Sequence, residues 1–272
     1  MMKITAVIVL SLLGLASSWR LPHYLPKCNF TDPDLSDCIK EKANIAIPLL
    51  VGGDRLYGIP QLSPLRTLET IWVNKTDFNL TITNLYFDDL KDIRIDNMYF
   101  EPKARNARAE FRVNVMDLTA DYELVNGVIG GAVFSGSGGL NMTFVNNNIS
   151  YSTILDHYTR ENKVYAKTKN STVFLNSETA SFYFSGLEIS NIISNSSSHS
   201  LTNATSVRSN SDNPGNATDL PLNDETIDDF ISENWEELYT RFKPVMEDLI
   251  LKYFRVVVDS LHQRVPIKNF FD

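Results

Sequence analysis

Apolar side chains near the end of the chain recur every three or four positions. Ile227, Phe230, Ile231, Trp235, Leu238, Phe242, Val245, Met246, Leu249, Ile250, Tyr253, Phe254, Val257 and Leu261 form one stripe, the spacing of a helix that buries one face. It predicts a single helix over residues 226–264, about 39 residues and roughly 58 Å long, bent where Pro244 removes a backbone hydrogen bond. So long a rod points to an elongated domain with a long apolar interior. Residues 69–189 follow a different period. Phe78-Asn79-Leu80-Thr81-Ile82 and Leu140-Asn141-Met142-Thr143-Phe144 alternate, and Phe111, Val113 and Val115 alternate with Arg112 and Asn114. Alternation marks strands with one face buried. Asn126-Gly127 predicts a hairpin turn between residues 122–125 and 128–129. Gly136-Ser137-Gly138-Gly139 reads as a strand-linking turn. It is not a phosphate loop, because Lys-Ser/Thr and a following helix are missing. Strands without helical interruption predict an antiparallel, strongly curved sheet, and the fold class is α+β.

Ahead of the strands, Asp34 is the expected N-cap of a shorter helix carrying Leu35, Cys38, Ile39, Lys42, Ile45 and Ala46, ended by Gly52-Gly53. Gly58-Ile59-Pro60 and Ser63-Pro64-Leu65 read as an extended segment. Residues 194–220 are rich in Ser, Asn, Thr and Asp. They bury too little to order themselves and predict a disordered, glycosylated loop.

The first 18 residues have Lys3, an apolar run over residues 4–15 and then Ala16-Ser17-Ser18, a secretory signal with cleavage after Ser18. Residues 19–272 are then one domain. Nine Asn-x-Ser/Thr sequons point the same way, at Asn29, Asn74, Asn79, Asn141, Asn148, Asn170, Asn195, Asn203 and Asn216. The two cysteines, Cys28 and Cys38, suit one disulfide in an oxidising compartment. No later stretch is long and apolar enough to cross a membrane, so stable membrane insertion is not expected. The formal charge is −8, or −9 without Lys3. An acidic chain with no basic run is a poor partner for nucleic acid.

Catalytic and metal patterns are weak. His157, beside Asp156, is the only histidine with an adjacent carboxylate and reads as a surface residue. The pairs Asp88-Asp89, Asp228-Asp229 and Glu236-Glu237 read as solvated faces. Neither Gly-x-Ser-x-Gly nor His-Glu-x-x-His occurs. Neither catalysis, nor a metal, nor a cofactor is expected. The helical stripe has two readings by periodicity, ordinary core or the wall of an apolar cavity. Large members such as Trp235, Phe242, Met246, Tyr253 and Phe254 suit a wall, and periodicity alone leaves both readings open.

Five features in order resemble the takeout and juvenile-hormone-binding-protein family of insect secreted carriers. They are a signal before Leu25-Pro26-x-Cys28; the segment from Cys28 through Asp32-Pro33-Asp34 to Cys38; Gly58-Ile59-Pro60-Gln61-Leu62-Ser63-Pro64-Leu65; glycine-punctuated strands around residues 127–140; and Phe230-Ile231-Ser232-Glu233-Asn234-Trp235, followed by Pro244, Pro266 and Phe270-Phe271. The resemblance implies an elongated super-roll, a long C-terminal helix wrapped by a highly curved antiparallel sheet around an apolar tunnel. It implies a Cys28–Cys38 bridge and carriage of a small hydrophobic ligand: a terpenoid hormone, a fatty acid or another lipid. Trp235, Phe242, Met246 and Phe254 on the helix and Phe111, Val113, Tyr122 and Phe144 on strands are the expected ligand contacts. Tyr122, Tyr151 and Tyr183 are candidate hydroxyl donors. The Ser/Asn insertion stands where the family has Leu-Phe-x-Gly, and sequons are unusually dense. Two rival readings remain. One is a glycosylated extracellular protein that binds another protein, with its tunnel empty or holding structural lipid. The other is a secreted hydrolase, which needs a Ser-His-Asp arrangement the sequence does not display.

Overall fold

Two strands of unusual length organise the structure. The computed structural model describes residues 19–88, 90–192 and 224–272; the expected leader and the Ser/Asn segment 194–220 lie outside them. β5 (Asn106–Ile129) has 24 residues and β6 (Ala132–Arg160) has 29, where about ten is the usual limit. They pair antiparallel from Asn106 opposite Ile154 to Ile129 opposite Ala132. Shorter strands line both flanks of this ribbon. On the β5 side lie β3 (Phe78–Asp88) and β4 (Arg94–Glu101), with β1 (Leu65–Arg66) and β2 (Ile71–Lys75) beyond β3. On the β6 side lie β7 (Lys163–Asn176), β8 (Thr179–Phe184) and β9 (Leu187–Ile192). The result is one antiparallel sheet of nine strands.

Register shifts bend the long strands, between Thr83 and Tyr86, Ile95 and Asn97, Leu124 and Gly127, and Ile154 and Leu155. A different device turns the ribbon over. Val113 pairs with Asn147 and Met116 with Phe144, and all four are buried. Two buried positions three apart on each strand mean that the inward face changes parity there. Asn146 takes the turn with φ 52°. Asn147 enters the interior, and its Nδ2 donates to the carbonyls of Val113 (3.1 Å) and Phe144 (2.9 Å). The expected alternation of Val113 and Val115 therefore fails: Val115 is 41 % exposed.

Three helices complete the fold. α1 (Leu35–Leu50) begins after Asp34, whose side chain makes no capping bond. It docks on β4 through Asn44, which donates to the Ile95 carbonyl (2.9 Å) and accepts from the Ile95 amide (2.7 Å). The C-terminal stripe is two helices, α2 (Asp224–Glu233) and α3 (Trp235–His262). The break falls at Asn234 rather than at Pro244, which α3 passes through. The cause is the β5–β6 hairpin tip, Gly130-Gly131, with φ 55° and 81°. The Gly130 amide donates to Glu237 Oε2 (2.9 Å), and a Cβ on Gly130 would meet Asn234 Oδ1 at 2.5 Å.

The tip also displaces the turn expected at Asn126-Gly127. Val128 and Ile129 pair with Val133 and Ala132, so β5 continues and Asn126, at φ 51°, is part of a bulge. Residues 136–139 are likewise strand rather than turn. The β8–β9 turn crosses above them, and a Cβ on Gly136 or Gly138 would lie 2.3 Å from a carbonyl oxygen of Gly186 or Ser185.

α3 closes the roll. The unpaired edge of β7 would otherwise expose backbone amides. Tyr239 Oη accepts from Ser177 N just beyond the strand (2.9 Å), Glu247 Oε1 from Leu175 N (2.9 Å) and Asp259 Oδ1 from Thr168 N (2.7 Å). On the opposite flank, Arg241 pairs with Asp77 and Lys252 with Glu69. At the end of the roll Cys28 and Cys38 form the disulfide. The Phe271 ring packs against Phe30 (5.1 Å) and Phe100 (6.1 Å), and Asp272 N donates to the Cys28 carbonyl (3.1 Å).

Candidate ligand cavity

The middle of α3 presents Met246, Leu249, Ile250, Tyr253 and Phe254 to the sheet. These positions share one helical face, and they form one wall of an apolar cavity of about 50 Å³. The sheet supplies Leu85 and Phe87 from β3, Met116 and Leu118 from β5 and Ile149 from β6. The third wall is the extended segment before and after β1, through Leu62, Leu65 and Thr67, with Leu90 and Ile93 beside it. Besides the Tyr253 hydroxyl, Thr67 is the one polar residue of the lining. Its amide donates to the Leu85 carbonyl (3.0 Å) and its Oγ1 accepts from Glu69 N (3.2 Å).

The size matters. A pocket that encloses a small organic ligand has about 300–1,000 Å³, so this interior is a closed seam. Taking in a molecule requires its walls to part. Met116 and Met246 are the wall residues best able to rearrange, each with three rotatable bonds and a polarisable sulfur.

Met246 and Phe254, two of the expected contacts, line the seam. Phe111 sits behind Phe254 with ring centroids 4.9 Å apart. Val113, Phe144 and Phe242 are buried elsewhere in the core. Phe144 and Phe242 share an aromatic cluster around Phe182 (5.9 and 5.1 Å), and Phe242 also meets Phe78 at 6.5 Å. Trp235 is half-buried beside Tyr239. The three candidate hydroxyls separate clearly. Tyr122 donates to the Ser185 carbonyl (3.0 Å), and burial pushes its pKa up to about 12. Tyr183 is exposed on the outer face. Tyr151 Oη is buried with no hydrogen-bond partner among the described residues, and its ring stands edge-on to Phe254 at 5.1 Å. Sequence reasoning did not single out Leu62, Leu65, Thr67, Leu85, Leu90 and Ile93 as wall residues.

Other candidate chemistry lies apart. His157 is exposed on β6; partial burial and the Arg105 cation lower its pKa. Among the described residues no group of three His, Cys, Asp or Glu side chains is placed to hold a metal, and no helix is long and apolar enough to cross a membrane. The six described sequon asparagines, Asn29, Asn74, Asn79, Asn141, Asn148 and Asn170, are all exposed.

Comparison with known families gives a match over residues 5–206 to the model for haemolymph juvenile hormone binding protein. The chain belongs to this family. Membership supports a carrier that binds a hydrophobic ligand. Among solved structures, Takeout 1 of Epiphyas postvittana superposes with a TM-score of 0.70 at 20 % identity, over 90 % of this chain and 99 % of that one, which establishes the shared fold. A lipopolysaccharide binding protein also matches, at TM-score 0.29 and 8 % identity over 81 % of this chain and 39 % of that one. A search among curated proteins finds no significant sequence match.

Proposed function

We propose that this family member is a secreted carrier whose ligand lies along the seam between α3 and the sheet. The observation behind this reading is an apolar lining whose Phe254 packs against Tyr151, a residue with a buried hydroxyl that has no hydrogen-bond partner among the described residues. An apolar ligand gains roughly 25 cal/mol per Å² removed from water. The Tyr151 hydroxyl donates to one acceptor on the ligand and so fixes its orientation. The ligand class is an elongated apolar molecule with at least one oxygen: a terpenoid hormone, a fatty acid or a comparable lipid. Met246 and Phe254 are the contacts carried forward from the expected set. Export is supported by the Cys28–Cys38 bridge and by the exposure of six sequons.

A second reading is favoured by the 50 Å³ volume of the seam. It is an extracellular interaction protein whose interior stays closed. Native mass spectrometry of the secreted, deglycosylated protein, followed by extraction and identification of what it carries, separates the two. The carrier reading expects a stoichiometric lipid or terpenoid. A clean apo mass, with no uptake of fluorescent fatty-acid or terpenoid probes, removes it in favour of the second.

A further inference from the structure

A second concavity, of about 730 Å³, lies on the outer face of the sheet. Its floor crosses four strands: Tyr99 of β4 pairs with Arg108 of β5, Arg108 with Ser152 of β6, and Ser152 with Thr172 of β7. The adjacent rung is Asn106, Ile154 and Asn170. At about 4.8 Å per strand, Asn170 and Tyr99 stand roughly 15 Å apart across the groove.

Asn170-Ser171-Thr172 is a sequon, and all three residues line this groove. The side-chain amide of Asn170 has no hydrogen-bond partner among the described residues, whereas that of Asn29 already accepts from Thr31 N and Oγ1 (3.0 and 2.8 Å). The far wall has the chemistry of a sugar platform. Tyr99 offers a ring that is 53 % exposed, an apolar face for the C–H side of a pyranose. Beside it, Asn97 Nδ2 and Arg108 Nη2 donate to the two oxygens of Glu110 at 2.7 and 3.1 Å. These planar groups hold one another in place, so little side-chain freedom remains to be lost on binding. Ser152 and Thr172 share a hydroxyl hydrogen bond of 2.8 Å between the two walls.

We infer that the N-glycan on Asn170 lies in this groove, its core sugars running across β6 and β5 to stack on Tyr99 and hydrogen-bond to Asn97, Arg108 and Glu110. Covalent attachment at the wall gives a high effective concentration, so contacts too weak to hold a free sugar suffice. The bound glycan covers Ile154, an apolar side chain 42 % exposed on an outer strand face. The inference rests on the export part of the proposed function, since only an exported chain meets the glycosylation machinery.

Site-resolved release by peptide-N-glycosidase tests it on the native secreted protein, with glycopeptide mass spectrometry as readout. Asn170 should release at least tenfold more slowly than Asn141 and Asn148, which also sit on strands, and equally fast after denaturation. Tyr99→Ala, at an exposed position, should bring Asn170 to the rate of the others and leave them unchanged. Equal native rates, no effect of Tyr99→Ala, or a bare Asn170 among glycosylated neighbours would each overturn the groove assignment. Sugar at none of the six sites would remove the export reading itself.

Discussion

Phe242 and Phe254 lie on the same helical stripe, yet the structure gives them different work. Phe242 is 0 % exposed and packs against Phe78 and Phe182, away from the seam. Phe242→Ala leaves a cavity in a rigid cluster and should cost about 3–5 kcal/mol. In a domain of this size that lowers Tm by roughly 6–20 °C. Phe254 is only partly buried and lines the seam. Its rings contacts are Phe111 and Tyr151, worth about 0.5–1.5 kcal/mol each, so Phe254→Ala should sit at or below the low end of the Phe242 cost.

Binding should reverse the order. The part of Phe254 that a ligand covers is worth about 1.5 kcal/mol by area, close to a tenfold rise in Kd. Phe242 makes no contact with the seam, so its variant should bind within about threefold of wild type wherever it remains folded, about 0.7 kcal/mol. The assay is displacement of a fluorescent fatty-acid or terpenoid probe at a temperature well below both midpoints, with Tm measured by differential scanning. Loss of binding in Phe242→Ala with full binding in Phe254→Ala would refute the placement of the ligand along α3 beside Met246 and Phe254.

Tyr151→Phe removes a buried hydroxyl with no hydrogen-bond partner among the described residues, so stability should hold or rise while affinity for an oxygen-bearing ligand falls by about 0.5–1.5 kcal/mol; a clear loss of Tm would show that the hydroxyl is already satisfied. Burial holds the His262 pKa below the ordinary imidazole value, against the opposing pull of the Val258 carbonyl and Asp259 and with a further push from His157. The unfolded chain therefore takes up the proton first, and stability present above about pH 6.5 is lost as the pH falls toward 5. His262→Phe keeps the stack on Phe270 and should flatten the fall of Tm between pH 7 and 5; an unchanged slope would exclude the ring as its source. Lys252→Ala removes the exposed pair with Glu69 and should change stability by less than about 1 kcal/mol while speeding probe release in stopped flow; an unchanged release rate would exclude this flank as the moving wall.

The stripe made α3 and its buried face legible because helical period is a local property. Its five seam residues, from Met246 to Phe254, are all members of that stripe. Depth was not legible, since periodicity gives a face but cannot say that Phe242 meets Phe182 while Phe254 meets a gap. The misplaced features share one cause, a distant segment overriding a local signal. Asn126-Gly127 has turn chemistry, but β6 pairs with the residues beyond it. The glycines at 136 and 138 serve the carbonyls of Ser185 and Gly186 instead of a turn. The helix breaks at Asn234 because a hairpin tip about a hundred residues earlier rests there. Leu62 and Leu65 belong to the motif that carries the family resemblance, but nothing marked them or Thr67 as cavity wall, because an extended segment with prolines has no period to read.

The attachments of α3 also bear on how a 50 Å³ seam could admit a ligand. On the β7 flank the helix is held by side chains that cap backbone amides, those of Thr168, Leu175 and Ser177. Pulling the helix away there would strand those donors at about 1–3 kcal/mol each where they are buried. On the other flank the ties are ion pairs, Lys252 with Glu69 and Arg241 with Asp77. The exposed Lys252–Glu69 pair is worth about 0–1 kcal/mol because water replaces either partner readily, whereas the Arg241 side chain is largely buried, bonds both Asp77 oxygens and lies over the Phe78 ring. The residues between Leu62 and Glu69 form a wall of the seam and belong, apart from the two-residue β1, to no strand. That segment is tied down too: the Leu62 and Ser63 amides donate to the Val51 carbonyl and the Thr67 amide to that of Leu85. A ligand entering the seam would therefore have to break backbone bonds on whichever wall moved, at about 1–3 kcal/mol for each buried donor left unpaired.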